Sequence, residues 1–454
     1  MSKLPPAAFI ILFLAAAAIG AGPDTRPSNW AFALAPPMGW NSYDTFGDSV
    51  TEAEVVANAE YMRDHLLSHG WNYVVVDFRW YDAGANSGDP NKRAGAQLTA
   101  DEFGRLTPAV NRFPSADGGK GFGPLGEKIH AMGLKFGIHV MRGIPQQSFK
   151  ANTPIEGSSF HAADAGDSGS ICRWCKDMYG VHGETPAGQA WYDSIVRQYA
   201  GWGVDYIKVD DLSSPYSTHE IEALRAAIDK CGRAMVLSLS PGPTPVKQAE
   251  HVKVNANLWR ISADFWDRWR SLNSQFDLIA SWQGVGGPGR WPDADMIPLG
   301  HIGIRCDAGG AKDRQTRFTK DEQLTLMSLW ALAPSPLMLG MNMPDNDEWT
   351  NSLLTNDAVI AIDQDSLGAA GELIGPRGMQ EVWKKKLANG DIAVGLFNRA
   401  ASNVTVSVTW AQLGISGKQT VRDLWQSKDI PAEDKLSTDV PVHGSVLVRI
   451  APQK

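Results

Sequence analysis

Tyr206-Ile207-Lys208-Val209-Asp210-Asp211 is a short β-branched strand pattern that ends in two acids. Just upstream, residues 185–202 read as a helix, with Thr185 as N-cap and Pro186 at the first helical position. Just downstream, residues 217–231 read as another. Helix, strand, helix is the repeating unit of a parallel α/β fold. The unit recurs on both sides. Strand patterns lie at residues 38–43, 73–77, 135–140, 205–210, 234–240, 258–262, 278–282 and 336–341, most of them bounded by Gly, Pro or Asp. Residues 51–68 open on the capping-box pair Thr51 and Glu54, and residues 319–332 follow the same logic. Eight such strands within residues 34–370 predict an α/β fold of the (β/α)₈ TIM-barrel type, whose core takes about 250 residues plus insertions. A doubly wound sheet would instead announce itself with a glycine-rich phosphate loop after the first strand. Asp44-Thr45-Phe46-Gly47-Asp48 stands there and is no such loop.

The pattern changes near residue 371. Residues 382–387, 392–398, 404–409, 420–423 and 445–450 are strand-like, with Asn389-Gly390 as a hairpin signal. Residues 371–454 therefore read as a C-terminal antiparallel β-sandwich domain. At the other end, Lys3, the apolar run 7–19 and the small residues Gly20 and Ala21 have the plan of a signal peptide over residues 1–21. The run falls short of the roughly 20 apolar residues a membrane span needs. A secreted or periplasmic protein, free of the membrane after cleavage, is expected. Residues 22–33, rich in Pro, Gly, Ser and Thr, read as a flexible linker.

The net charge of -8 gives no pull toward nucleic acid or anionic lipid. Four cysteines, Cys172, Cys175, Cys231 and Cys306, exclude a disulfide-dense scaffold. The CxxC pair Cys172 and Cys175 reads as a local disulfide or as two buried thiols, because a zinc site would need a second ligand pair.

Barrel chemistry sits at the C-terminal strand ends. Those ends carry Asp77, His139, Arg142, Lys208, Asp210, Asp211, Ser240, Arg260 and Asp264, and then Asp293 and Asp295. Two carboxylates with few other groups suit glycoside hydrolysis, one attacking the anomeric carbon and the other protonating the leaving oxygen. Asp210 and Asp264 are the pair that strands four and six set across the barrel mouth. A Mg²⁺ or Ca²⁺ site on Asp210-Asp211 and Asp293-x-Asp295 is the competing reading. Lys208 and Arg260 would compete with a cation there, so no metal and no cofactor is expected.

Met38-Gly39-Trp40-Asn41-Ser42, Tyr206 to Asp211, Trp259-Arg260-Ile261-Ser262-Ala263-Asp264 and Trp291-Pro292-Asp293-Ala294-Asp295-Met296, in this order, resemble glycoside hydrolase family 27. This is the family of α-galactosidases and α-N-acetylgalactosaminidases, and the likeness runs over roughly residues 34–450. The resemblance implies a retaining enzyme with Asp210 as nucleophile and Asp264 as acid/base. It implies sugar-binding roles for Lys208 and Arg260, the latter on the 2-position side. Trp40 would be the aromatic wall. Asp77 would be the first of two adjacent acids that grip the 4- and 6-hydroxyls, and Asp295 and Met296 would line the site.

The chain departs from the family pattern at several places. The second acid of the pair is Phe78, followed by Arg79 where a Cys is usual. His139 replaces an aromatic, Ser240 replaces a Glu, and Leu212 stands where a disulfide Cys would follow the nucleophile. Loss of one charge-assisted hydrogen bond removes about 1.5–3 kcal/mol of selectivity for an axial 4-hydroxyl. The expected activity is release of terminal α-galactosyl residues from oligosaccharides or glycoconjugates by double displacement. Phe78 and Ser240 keep α-N-acetylgalactosaminide, β-L-arabinopyranoside and α-glucoside as alternative substrates. A silent carbohydrate-binding protein is the reading from another class, and the presence of both Asp210 and Asp264 speaks against it.

Overall fold

The computed structural model describes residues 27–306, 308–310 and 312–453. The expected signal peptide lies outside the described residues. Eight parallel strands form the central sheet: β1 (Met38–Asn41), β2 (Tyr73–Val76), β3 (Lys135–Met141), β4 (Tyr206–Asp210), β5 (Val236–Leu239), β6 (Leu258–Arg260), β7 (Trp291–Asp293) and β8 (Leu337–Leu339). β1 to β7 pair in sequence order, and β1 also pairs with β8. The ring closes just past β7, where Ile297 N–H donates to Met338 O (2.8 Å) and Gly340 N–H to Ile297 O (3.1 Å). The result is the expected (β/α)₈ barrel.

The seventh strand is not where the sequence pattern put it. Residues 278–282 run through the end of the helix Trp269–Ser281. Leu272, Phe276 and Ile279 are its buried face, a spacing of four and three that belongs to a helix. The true strand is three residues long and contains Pro292, which reads as a breaker. Pro292 is tolerated because Trp291 N–H already donates to Asn257 O on the β6 side (2.7 Å). The proline nitrogen points to the other side, where no ladder forms.

Alternation along the strands sorts the barrel. Tyr73, Val75, Tyr206, Val236, Leu258, Trp291 and Met338 make one buried cluster inside the ring. Trp40, Val74, Val76, Ile207, Val209 and Trp259 belong to the larger core outside it, against the helices. The helix starts follow the caps read from the sequence. Thr51 and Glu54 form a capping box on Glu52–His65, and Thr319 and Glu322 form one on Lys320–Leu332. Thr185 Oγ1 accepts Gly188 N–H (3.1 Å) at the head of Pro186–Gly201.

Ser28–Ala33, placed in the flexible linker by composition, is a 3₁₀ turn packed on the barrel. Trp30 outweighs its Pro- and Ser-rich surroundings. Its Nε1 donates to Lys253 O (2.8 Å), and the Arg290 guanidinium lies 3.8 Å from its ring. Between β3 and β4 an excursion forms a small sheet of Ile144–Pro145, Gly166–Ile171 and Met178–Val181. Arg142 ties this region down, reaching Asp211 (2.8 Å) and Glu220 (2.6 Å).

The C-terminal domain pairs a six-stranded antiparallel sheet with the hairpin-like pair Val404–Thr409 and Lys435–Val440. Val394, Leu396, Val408, Leu436, Val440 and Val448 fill the space between. Strands Glu372–Ile374, Lys428–Asp429 and Lys435–Val440 add to those the sequence showed. Lys385, fully buried, joins this domain to the barrel by donating to Ala331 O (3.0 Å) and Ile362 O (2.6 Å).

Candidate active site

The inward register that carries apolar residues low in the barrel carries polar ones at its C-terminal end. Tyr206 is followed two and four residues on by Lys208 and Asp210, Leu258 by Arg260, and Tyr73 by Asp77. These side chains line a cavity of about 270 Å³. Asp264, Ser240, Asp295, Met296 and Phe78 line it too. The two acids singled out by sequence, Asp210 and Asp264, thus face one space.

Their surroundings differ. Asp210 is 15% exposed, and its carboxylate is held on both oxygens. Ser240 Oγ donates to Oδ1 (2.7 Å), and His139 Nε2 lies 3.1 Å from Oδ2. Burial pushes the Asp210 carboxyl up. The His139 hydrogen bond and charge, Lys208 and Ser240 outweigh it and hold Asp210 below the usual carboxylate range. Asp264 is 65% exposed, with Arg260 Nη2 at 3.5 Å from its Oδ1. One acid is therefore fixed and ionised in the floor, the other open at the mouth.

Asp77 is the second anchored anion. Burial acts against its charge. Lys208 Nζ (2.9 Å to Oδ2), His139, the Phe78 N–H (2.9 Å to Oδ1) and Asn41 Nδ2 (2.6 Å to Oδ2) prevail and hold it well below the usual range. Lys208 is in turn kept charged: burial lowers its pKa, and Asp77 and Asp210 raise it further. Arg260 Nη2 meets Asp295 Oδ2 at 2.6 Å. Burial nevertheless pushes the Asp295 carboxyl up to about 7, with Asp264 and Asp293 adding to the rise against Arg260.

Trp40 is not brought to the cavity. On β1 it has the outward parity, is fully buried, and donates its indole N–H to Met341 O (2.7 Å). Tyr43, in the turn after β1, lines the cavity where Trp40 was expected. His139 stands behind Asp210, 1% exposed, and touches the site through that acid. Asp44, Trp174 and Trp266 also line the cavity and were not read from the sequence. Trp174 sits inside the Cys172/Cys175 pair, whose sulfurs are free thiols. The sequence signal was present there but pointed to sulfur chemistry, not to the aromatic between. Phe78 packs edge-on against His139 (5.5 Å between ring centroids) and against Trp174 (5.4 Å).

Residues 176–365 match the α-galactosidase A family, and residues 377–450 match the α-galactosidase C-terminal β-sandwich domain. An α-galactosidase of Coffea arabica is 30% identical over 430 residues, covering 92% of this chain and 94% of that protein. A GH27 β-L-arabinopyranosidase from Geobacillus stearothermophilus superposes with a TM-score of 0.91 at 50% identity, covering 93% of this chain and 98% of that one. The chain belongs to glycoside hydrolase family 27.

Membership makes this a glycosidase of the α-galactosidase type. An α-galactosidase A of Cellvibrio japonicus is also similar, at 28% identity over 93% of each chain. Among the described residues no helix is long and apolar enough to cross a membrane. The cavity has an apolar corner where the resemblance leads one to expect a second acid. Phe78 is 4% exposed and stands directly after Asp77.

Proposed function

We propose that this family 27 glycosidase releases terminal galacto-configured pyranosyl residues with retention, using Asp210 as nucleophile and Asp264 as acid/base. The observation that carries this is the contrast between the two acids in one cavity. Asp210 is buried and ionised, with Ser240 and His139 fixing its oxygens. Asp264 stands at the open side, where a leaving group and water have access.

In the first step an Asp210 oxygen bonds to the anomeric carbon as the glycosidic C–O bond breaks. Asp264 gives its proton to the departing oxygen. In the second step Asp264 takes a proton from water, the water oxygen bonds to the anomeric carbon, and the Asp210 ester bond breaks. Lys208, Asp77 and Arg260 orient the ring through its hydroxyls. Two displacements on one carbon return the original anomer.

Within this substrate class Phe78 favours the β-L-arabinopyranoside. That sugar is the α-D-galactoside ring without its C6 hydroxymethyl group. An apolar ring beside Asp77 offers no acceptor for a 6-hydroxyl and fills space the group would need. The Ser240 hydroxyl is engaged with Asp210, so it stabilises the nucleophile as well as widening the 2-position. Residues 1–21 support export, so the proposed place of action is outside the cytoplasm or in the periplasm.

The test is a panel of aryl glycosides, with the product anomer read by NMR. Asp210→Ala is expected to abolish turnover. Asp264→Ala is expected to retain turnover mainly on substrates with good leaving groups. An inverted product, or full activity in Asp210→Ala, would overturn the assignment.

A further inference from the structure

Asp44 lies in the short helix Tyr43–Phe46 that follows β1, and it lines the same cavity as Asp210 and Asp264. It is 4% exposed, and its Oδ2 has no hydrogen-bond partner among the described residues. A carboxyl oxygen sealed from water without a partner is costly. That oxygen is turned onto Gly340, so what Asp44 offers the cavity is the rest of its carboxyl, held in a fixed orientation.

The surrounding backbone is shaped to hold this carboxyl. Gly340, just past β8, packs against it. A Cβ on Gly340 would meet Asp44 Oδ2 first and would lie 2.7 Å from both its Cβ and Cγ. Only a residue without a side chain leaves that room. The charged groups around it are Asp295, Lys208, Asp264 and Asp77. Three are acids and one is a base.

We propose that Asp44 is a further sugar-recognising residue, its carboxyl hydrogen-bonding a ring hydroxyl of the substrate and supplying the second acid that Phe78 withholds. This rests on the glycosidase reading of the cavity. Burial, and then Asp295, push the Asp44 carboxyl well above its usual range against the pull of Lys208. Its carboxyl is thereby shifted toward the protonated form, in which it brings an O–H donor to a site where Asp77 and Asp210 only accept. A sugar hydroxyl, both donor and acceptor, is the ligand chemistry that satisfies both.

The experiment compares Asp44→Ala and Asp44→Asn with wild type on the aryl β-L-arabinopyranoside and the aryl α-D-galactoside. Asp44→Ala removes the group without overfilling the site and is expected to raise KM about tenfold, with a smaller change in kcat. Asp44→Asn keeps an isosteric donor and is expected to recover most of that loss. Gly340→Ala, which displaces the carboxyl without removing it, is expected to follow Asp44→Ala. Melting curves on the same samples separate folding from binding. A lowered melting temperature with wild-type KM in both Asp44 variants would make Asp44 structural and overturn the proposal, while leaving the glycosidase reading intact. Failure of the wild-type enzyme to turn over either glycoside would sink both.

Discussion

Phe78→Ala tests the apolar corner directly. The ring is 4% exposed and packs on His139 and Trp174, with the Arg79 guanidinium 5.9 Å from its centroid. Truncating a buried Phe costs about 3–5 kcal/mol where the hole stays dry. Here one side of the hole opens on the cavity, water enters, and the cost falls toward the low end. The space released lies beside Asp77, which holds two of its neighbours through Oδ2. A hydroxymethyl group that no longer clashes recovers what one small group is worth in a tight pocket, about 1–3 kcal/mol or 10–200-fold. The assay is kcat/KM on p-nitrophenyl α-D-galactopyranoside and p-nitrophenyl β-L-arabinopyranoside, for both proteins. The ratio of the two values cancels any loss of folded enzyme, because both substrates meet the same folded fraction. It is expected to move at least tenfold toward the galactoside. A ratio that stays within twofold, or moves toward the arabinopyranoside, refutes the idea that Phe78 sets the choice at C6.

Ser240→Ala removes a donor from Asp210, the proposed nucleophile, so its carboxyl pKa is expected to rise and the acid limb of kcat/KM to shift to higher pH. An unshifted limb in a pH–rate profile would show that Ser240 only shapes the 2-position. Lys385→Met leaves the Ala331 and Ile362 carbonyls buried without their donor, at about 1–3 kcal/mol each. Chemical denaturation should show a loss of that order, whereas a midpoint at or above wild type would mean that the apolar chain repays the lost bonds.

The barrel was legible in the sequence because its strands are short apolar runs with acids at their ends, and because Thr51, Thr185 and Thr319 mark helix starts. The seventh strand was lost to a contest between two patterns. Residues 278–282 are apolar enough for a strand, yet they continue a helical face that begins at Leu272. The real strand is three residues with a proline inside, too short for alternation to register. The site was legible to the extent that it lies on strands. Asp77, Lys208, Asp210 and Arg260 share the inward parity of their own strands, two or four residues beyond the inward Tyr73, Tyr206 and Leu258. The same parity excludes Trp40, so its misplacement was avoidable. Tyr43, Asp44 and Trp174 follow no period. They sit in the one-turn helix Tyr43–Phe46 and in a loop, where side-chain direction is set by tertiary packing such as the fit of Asp44 against Gly340.

The charge pattern of the cavity has an order that follows from reach. Asp44, Asp77, Asp210, Asp264 and Asp295 share it with only Lys208 and Arg260 as permanent cations. Five anions in so small a space would repel one another and whatever binds. Lys208 stands between Asp77 and Asp210, and both stay ionised. At Asp44 burial outweighs the pull of Lys208, and at Asp295 it outweighs even the ion pair with Arg260, so both are driven toward the protonated form. Negative charge is thereby kept at Asp77 and at Asp210, and the latter, as the proposed nucleophile, would face the positive charge of an oxocarbenium-like transition state. Burial shifts Asp44 and Asp295 toward the neutral form, in which a carboxyl can donate to a hydroxyl. A glycosidase site needs both properties, one anion at the reacting carbon and a ring of uncharged donors and acceptors. In this barrel Lys208 on β4 and His139 on β3 together produce the division, since both hold Asp77 and Asp210 ionised.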